Sequence, residues 1–381
     1  MSATTAELRP VDRGGGPALG AALVNVVLGP LALLLLLVMI CIVLGGRDSA
    51  FDFRHAYWVA GQRVLHGESP YVWTPAQFRE GLAFVYPALS AVMFAPLSLM
   101  SRGFGSVLFT FVSIALIPAT LFVLRVRDWR VYGVTVLWLP IFGAWQTANE
   151  TIFLVFGIAC LWRCRNRPFA AGLMTAVLIS LKPFVWPLAI WLVATRRSRA
   201  SLWAILAGIA LNAGAWGAIG FGQVGRYLHA AGADSTAAWR TGYGFPALAA
   251  HLGLSRSAGT DVMLVTSALV TVAVLYAGLK RRSELQALTL ALALTVISSP
   301  LVWSHYFSLL LIPLALMRRR LDWLWVLPVA MWVCPPDFLV HLWQAVVVWG
   351  CGGWVLTVLS REAGGWQTRP GGGQTPLEAR A

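Results

Sequence analysis

The chain has 381 residues, of which 58% are hydrophobic and only 12% charged, about half the charged fraction of an ordinary soluble domain. That balance argues against a soluble enzyme and leaves no room for a large separate soluble domain. The net charge of +14, from 29 Lys and Arg against 15 Asp and Glu, would in a soluble protein point to nucleic acid. Here the basic residues sit in clusters between apolar runs, as topology signals do, so no nucleic-acid partner is expected.

Residues 1–19 read as a cytoplasmic N-terminal segment. The first apolar run, 20–44, follows Arg9 and Arg13 and has the length of a crossing; no small-residue cleavage site precedes the charged GGRDS, so it reads as a retained span. Eleven further runs follow at 105–124, 131–145, 150–162, 168–181, 183–195, 200–220, 261–279, 284–299, 303–317, 321–334 and 338–359. Basic clusters punctuate them at 125–130, 163–167, 196–199, 280–282 and 318–320, with Arg361, Arg369 and Arg380 in the tail. If these clusters and the N-terminus are all cytoplasmic, each interval between clusters holds an even number of crossings. The apolar segment 84–100, which carries Pro87 and Pro96, then becomes a re-entrant or interfacial piece on the outer side.

The expected fold is an all-α polytopic membrane protein with about twelve transmembrane helices in a domain spanning 20–360. Two longer outer loops, 45–104 and 221–260, carry apolar residues at helical spacing over 53–65 and 245–254, which predicts surface helices. The segment 361–381 is expected to be a disordered cytoplasmic tail. Cys41, Cys160, Cys164, Cys334 and Cys351 are too scattered for a disulfide framework and read as packing residues. There is no convincing internal repeat.

The outer side of this topology collects Asp52, His55, Glu68, Gln146, Asn149, Glu150, Lys182, Asp234, His305 and Asp337. No inner loop mixes acids, amides and imidazoles in this way, so any chemistry is expected outside the cytoplasm. Asp52 follows the first span directly; partial burial there would raise its pKa and suit it to act as a base, or it caps the helix that follows. His55, three residues on, would share its face in a helix. In WQTANE, Gln146, Asn149 and Glu150 fall at helical offsets, placing two amides and a carboxylate on one face, suited to sugar hydroxyls or to closing a polar corner. Lys182 is one of two lysines and lies against the positive-inside bias, as an anion-binding residue would, unless it snorkels to the surface. His305, after Pro300 and beside Trp303, is placed to donate to a phosphate or to act as a base, or else it packs. Asp337 either closes an outer loop or caps the last span. The sequence shows no metal-ligand spacing, nucleotide loop, nucleophile elbow or CxxC, and no cofactor is expected.

The ordered set DFRHAYWVAGQRVLHGESPY, FVYPALSAVMFAPLSLM, WQTAN, AAGLMTAVLISLKPF and SSPLVWSHYF resembles the bacterial glycosyltransferase family 87, polyprenyl-phosphate-mannose-dependent mannosyltransferases and their relatives, over about residues 48–320. The resemblance implies a glycosyltransferase C (GT-C) fold with its active site on the outer face of the plasma membrane, and a hexose, mannose in the first instance, donated by a polyprenyl phosphate to a lipid or glycan acceptor. It implies Asp52 as general base, His305 near the donor phosphate, Lys182 as the lysine of the LKP segment, and Gln146 and Asn149 as the Q..N turn. Tyr86 and Pro87 match the family's YPP, whose last position is Ala88 here. His55, Glu150 and Trp303 are expected to line the substrate site.

An inverting displacement needs a single base and donors at the departing phosphate, roles that Asp52, Lys182 and His305 fill. Two rivals stand beside this reading. A lipid or solute transporter or flippase would place ionisable groups near the bilayer midplane and show related halves. An interaction partner of a cell-wall synthesis complex would use the outer polar groups only as caps.

Overall fold

A computed structural model describes residues 16–45, 49–333 and 340–365. Cys334, Asp337, the chain before Gly16 and the chain after Gly365, with Arg369 and Arg380, lie outside the described residues. Among the described residues the protein is helical throughout, without a strand.

The helices in chain order are α1 (Gly16–Gly45), α2 (Trp58–Leu65), α3 (Pro75–Arg79), α4 (Ala88–Ser98), α5 (Arg102–Val123), α6 (Trp129–Val136), α7 (Leu139–Thr147), α8 (Thr151–Cys164) and α9 (Pro168–Leu181). They continue as α10 (Pro187–Ala194), α11 (Ser198–Ile219), α12 (Val224–Ala237), α13 (Phe245–His251), α14 (Arg256–Leu275), α15 (Glu284–Ile297), α16 (Leu311–Met317), α17 (Trp323–Val326) and α18 (Leu342–Gly365). Among the described residues four stretches, Arg102–Val123, Ser198–Ile219, Arg256–Lys280 and Leu342–Gly364, are long and apolar enough to cross a bilayer on their own. Most of the other apolar helices hold 11 to 16 residues. At 1.5 Å per residue these fall short of a hydrocarbon core of about 30 Å unless flanking turns extend them. Apolar side chains such as Leu202, Ile205 and Ile209 on α11, and Val265, Leu269 and Val272 on α14, are exposed. A bilayer satisfies such faces and water does not.

Several expected elements take another form. The run 131–145 is two helices, not one. Pro140 lies at the start of α7; lacking an N–H, it cannot bond the carbonyl of Val136, where α6 ends. The stretch 53–65 does not lie free on a surface. It packs along α4, burying Phe53, Ala56, Tyr57, Ala60 and Gly61. A Cβ on Gly61 would stand 2.8 Å from the carbonyl oxygen of Phe94, so glycine is what lets the two backbones approach. Within 245–254, α13 docks on α14, where Gly259 meets Pro246 and Ala249. The small residues in both segments explain why docking prevails over an interfacial position. The last helix continues to Gly365, five residues into the segment expected as tail. The segment 84–100 forms α4, whose 11 residues span about 16 Å and pack against α2, α11 and α9.

The bundle has two chemically opposite ends. At one, Glu284 pairs with Arg165 at 3.1 Å and Arg197 at 2.9 Å, and Arg197 donates to the carbonyl of Arg165 at 2.9 Å. Arg318 pairs with Asp322 at 3.3 Å and with Glu362, Ser283 donates to the carbonyl of Ala363, and Leu321 N–H donates to Asp128. These contacts tie five basic loops and the last helix into one layer. From that layer α9 rises to Lys182 and α15 to Ser298, while α8 descends from Glu150 to Arg163 and the segment 304–317 from His305 to Arg318. α8, α9 and the segment 304–317 therefore each carry one basic end and one end in the candidate site. A main core, centred on Trp138, Trp145, Trp191 and Trp325, fills the middle. A second core of aromatic residues, with Phe53 stacked on Phe109 at 5.2 Å and Tyr57 on Phe94 at 4.4 Å, supports the chain around Asp52.

Candidate active site

Asp52 lies in the first turn of a helical segment that begins at Phe51 and is π-helical over Phe53–Tyr57 before α2 continues it. Such single π turns re-aim side chains and recur at functional sites. Two alanines in the left-handed region shape the local chain: Ala50, with φ 56, and Ala148, with φ 52. The N–H of Ala50 donates to the carbonyl of Gln146 at 2.7 Å, which draws the two turns together. A left-handed alanine costs about 1 to 2 kcal/mol, so surrounding contacts must hold each of them.

Ala148 also overturns one expectation. It ends α7, and Asn149 N–H bonds back to the carbonyl of Ala144. Gln146, Asn149 and Glu150 therefore do not share a helical face. Gln146 lines a cavity with α1 residues Leu34, Leu37, Val38 and Cys41, whereas Asn149 and Glu150 turn inward at the start of α8.

Asn149 is the hub. Its amide nitrogen donates to Asp52 Oδ2 at 2.5 Å. Its Oδ1 accepts from Lys182 Nζ at 3.3 Å, from Thr151 N–H at 2.9 Å and from Thr151 Oγ1 at 2.6 Å. Lys182 stands where α9 ends, in extended conformation before Pro183, and donates also to Thr151 Oγ1 at 3.3 Å. Its ammonium faces the rings of Tyr306, Phe184 and Tyr86 at 4.8, 5.3 and 5.5 Å, an aromatic box that stabilises a cation removed from water. Ser90 on α4 donates to the carbonyl of Leu181 at 2.8 Å and faces Glu150 Oε2 at 3.5 Å. Asn149, Glu150 and Lys182 are all 5% or less exposed.

Burial raises the pKa of Asp52, opposed by the Asn149 amide, by Lys182 and by the Thr147 hydroxyl. Burial also pushes Glu150 up to about 7; Lys182 opposes that shift and Asp52 adds to it. Lys182 is lowered by burial, with Glu150 and Asp52 holding its proton on. The site thus places two carboxylates and one cation in mutual electrostatic reach, with the carboxylates shifted toward neutral pH. That is the setting in which a carboxylate works as a base.

His305 is buried, its Nε2 without a hydrogen bond among the described residues. Its ring meets Tyr306 edge-on at 4.9 Å, and Tyr306 in turn covers Lys182. Trp303 precedes it beneath the loop at 242–244, where Tyr243 N–H bonds the carbonyl of Val302 at 2.7 Å. Tyr86 lies edge-on to Tyr57 at 5.0 Å. His55 packs against Phe51 at 5.0 Å. Among the described residues no group of three His, Cys, Asp or Glu side chains is placed to hold a metal ion.

Sequence reasoning missed Ser90, Thr151, Phe184 and Tyr306, hydroxyls and rings inside apolar stretches that carry no charge to mark them, and Thr147 in the WQTANE corner. It also gave no role to Asp234. That residue lies on α12 in the second outer loop, close enough to Tyr306 to act on it, and burial pushes it up to about 6.

The model of glycosyltransferase family 87 matches residues 84–304, more than half of the chain. The chain belongs to glycosyltransferase family 87. No curated protein and no solved structure matches it significantly. Family 87 membership makes this a membrane glycosyltransferase, with a sugar donor and an acceptor as substrates. The matched region contains Asn149, Glu150 and Lys182 and ends one residue before His305.

Proposed function

We propose that this family 87 protein transfers a hexose, mannose in the first instance, from a polyprenyl-phosphate donor to a lipid or glycan acceptor at the outer face of the plasma membrane, inverting the anomeric centre. The observation that carries the reading is the hydrogen-bonded network of Asp52, Asn149 and Lys182, which lies at the end of the bundle opposite the arginine layer. Arginine-rich ends of membrane proteins face the cytoplasm, which favours an outer location for the network, in keeping with the GT-C fold that the family resemblance implies.

In this mechanism Asp52 takes the proton of the acceptor hydroxyl as that oxygen attacks the anomeric carbon. The bond from that carbon to the phosphate oxygen breaks, and its electron pair leaves with the lipid phosphate. Lys182 and His305 meet the charge that develops there, the step at which preorganised cations and donors lower a barrier most. Tyr86, Asn149 and Glu150 contact the sugar, and Trp303 and His55 border the site. A cavity of about 490 Å³, lined by Leu292, Val296, Tyr306, Phe307, Leu310 and Leu356, supports a lipid-linked substrate, because it offers an apolar surface and its Tyr306 also covers Lys182. Family membership favours this chemistry over the transporter or flippase reading.

A second reading makes Glu150 the base. Its Oε1 is buried and accepts no hydrogen bond among the described residues. Asp52 is preferred because its carboxylate is held by the Asn149 amide that also binds Lys182, whereas Glu150 faces Ser90. Radiolabelled polyprenyl-phosphate mannose, incubated with membranes from cells with and without the gene, tests the activity. Gene-dependent transfer of label to an acceptor supports the proposal, and equal transfer in both overturns it.

A further inference from the structure

The arginine layer is not uniform. Arg165 and Arg197 share Glu284 as an ion-pair partner, and Arg318 pairs with Asp322 and Glu362. Arg125 and Arg127 from the loop after α5, Arg130 from the first turn of α6, Arg163 from the end of α8, and Arg319 and Arg320 from the loop after α16 converge differently, around one cavity of about 1200 Å³. Asp128 is the one acid in its lining, and it is already taken by Arg130 at 2.9 Å and by the N–H of Leu321 at 2.9 Å. Among the described residues the other five arginines have no acidic partner. Topology requires arginines in these loops but does not require them to face one another, and like charges gathered without a counter-charge repel. The remainder of the wall is apolar, with Phe122, Val123, Val126 and Cys160. Phe122 is 78% exposed on the membrane-crossing helix α5, so the cavity opens beside the lipid-facing surface.

We propose that this cavity binds a phosphate group, at a site separate from the catalytic network and at the opposite end of the bundle. Arginine forks match phosphate oxygens in pairs, and basic pockets between membrane helices on the cytoplasmic side hold anionic lipid headgroups. The apolar wall suits a phosphate carried on a lipid, whereas a free phosphate would use the arginines alone.

The test is equilibrium binding to the full-length protein in neutral detergent, read by native mass spectrometry. The probes are phosphatidic acid, phosphatidylcholine of the same chain length, and inorganic phosphate as competitor. Phosphatidic acid is expected to bind at least tenfold more tightly than phosphatidylcholine. Arg163→Gln and Arg319→Gln should each weaken it about tenfold or more, and Arg199→Gln, which removes an exposed charge outside the cavity, should leave it unchanged. Displacement by millimolar phosphate identifies a free anion as sufficient, and its failure identifies the lipid form; both outcomes support a phosphate site. Equal binding of the two lipids, or equal loss in Arg199→Gln and Arg319→Gln, overturns the proposal.

Discussion

Asn149 and Asp52, 97 residues apart in the chain, are joined by a hydrogen bond of 2.5 Å from amide to carboxylate. The same amide's oxygen accepts from Lys182, so one side chain fixes both the acid and the cation. Asn149→Ala removes a donor to a buried carboxylate and an acceptor for a buried ammonium. We expect kcat to fall about 100-fold, in the range of lost catalytic positioning, while the protein reaches membranes at normal abundance. Steady-state transfer kinetics, with detergent-solubilised protein assayed for monodispersity, check this.

The pH profile separates the two carboxylates. A base works when deprotonated, and burial raises the pKa of Asp52, so transfer should rise with pH through a value above the ordinary aspartate range. Lys182 opposes that rise. Removing its charge in Lys182→Met therefore moves the acid limb to higher pH, in addition to slowing transfer. Glu150→Gln should keep an acid limb. Loss of the limb in that variant would make Glu150, which burial pushes to about 7, the base instead.

The contact between α2 and α4 supports the helical segment that carries Asp52. A side chain at Gly61 meets the Phe94 carbonyl at 2.8 Å. Overpacking of this kind costs about 1 to 3 kcal/mol, so Gly61→Leu should lower the thermal midpoint in detergent and reduce transfer, whereas Gly67→Leu, whose Cβ would stand in open space but at φ 70, should cost less. Equal losses would show that backbone strain outweighs packing in this region.

The proposed sidedness can be tested by labelling the two ends of the bundle. In a background with the five cysteines replaced, a cysteine at Glu68, in the loop after α2, should react with an impermeant maleimide in intact cells. One at Arg199 should react only after the membrane is opened. The opposite pattern would place the site network in the cytoplasm and end the proposed use of an outer-face donor.

Much of this arrangement can be read from residue patterns. Charge alternation along the chain separates the basic loops from Asp52, Asn149, Glu150, Lys182 and His305, because ionisable groups in a membrane protein are costly wherever they lack a purpose. The finer geometry leaves no such trace. The break that turns Gln146 away from Asn149 is a left-handed alanine, and alanine gives no sign of that conformation, as a glycine would. The 131–145 run looks like one crossing until Pro140 is placed in the first turn of α7. Ser90, Thr151 and Tyr306 lie in apolar stretches, and only the packing of α4, α8 and the 304–310 turn brings them to Lys182. The docking of 53–65 depends on Gly61 meeting Phe94, a pairing across more than thirty residues that helical spacing alone cannot indicate.

The role of Asp52 is tested most directly by transfer from labelled polyprenyl-phosphate mannose with purified Asp52→Asn protein, compared with wild type at equal amounts. The isosteric amide keeps the shape of the turn and removes the base. General-base catalysis contributes about 10² to 10⁴-fold, so the rate should fall at least 100-fold while donor binding persists. A rate within a few fold of wild type would contradict the account.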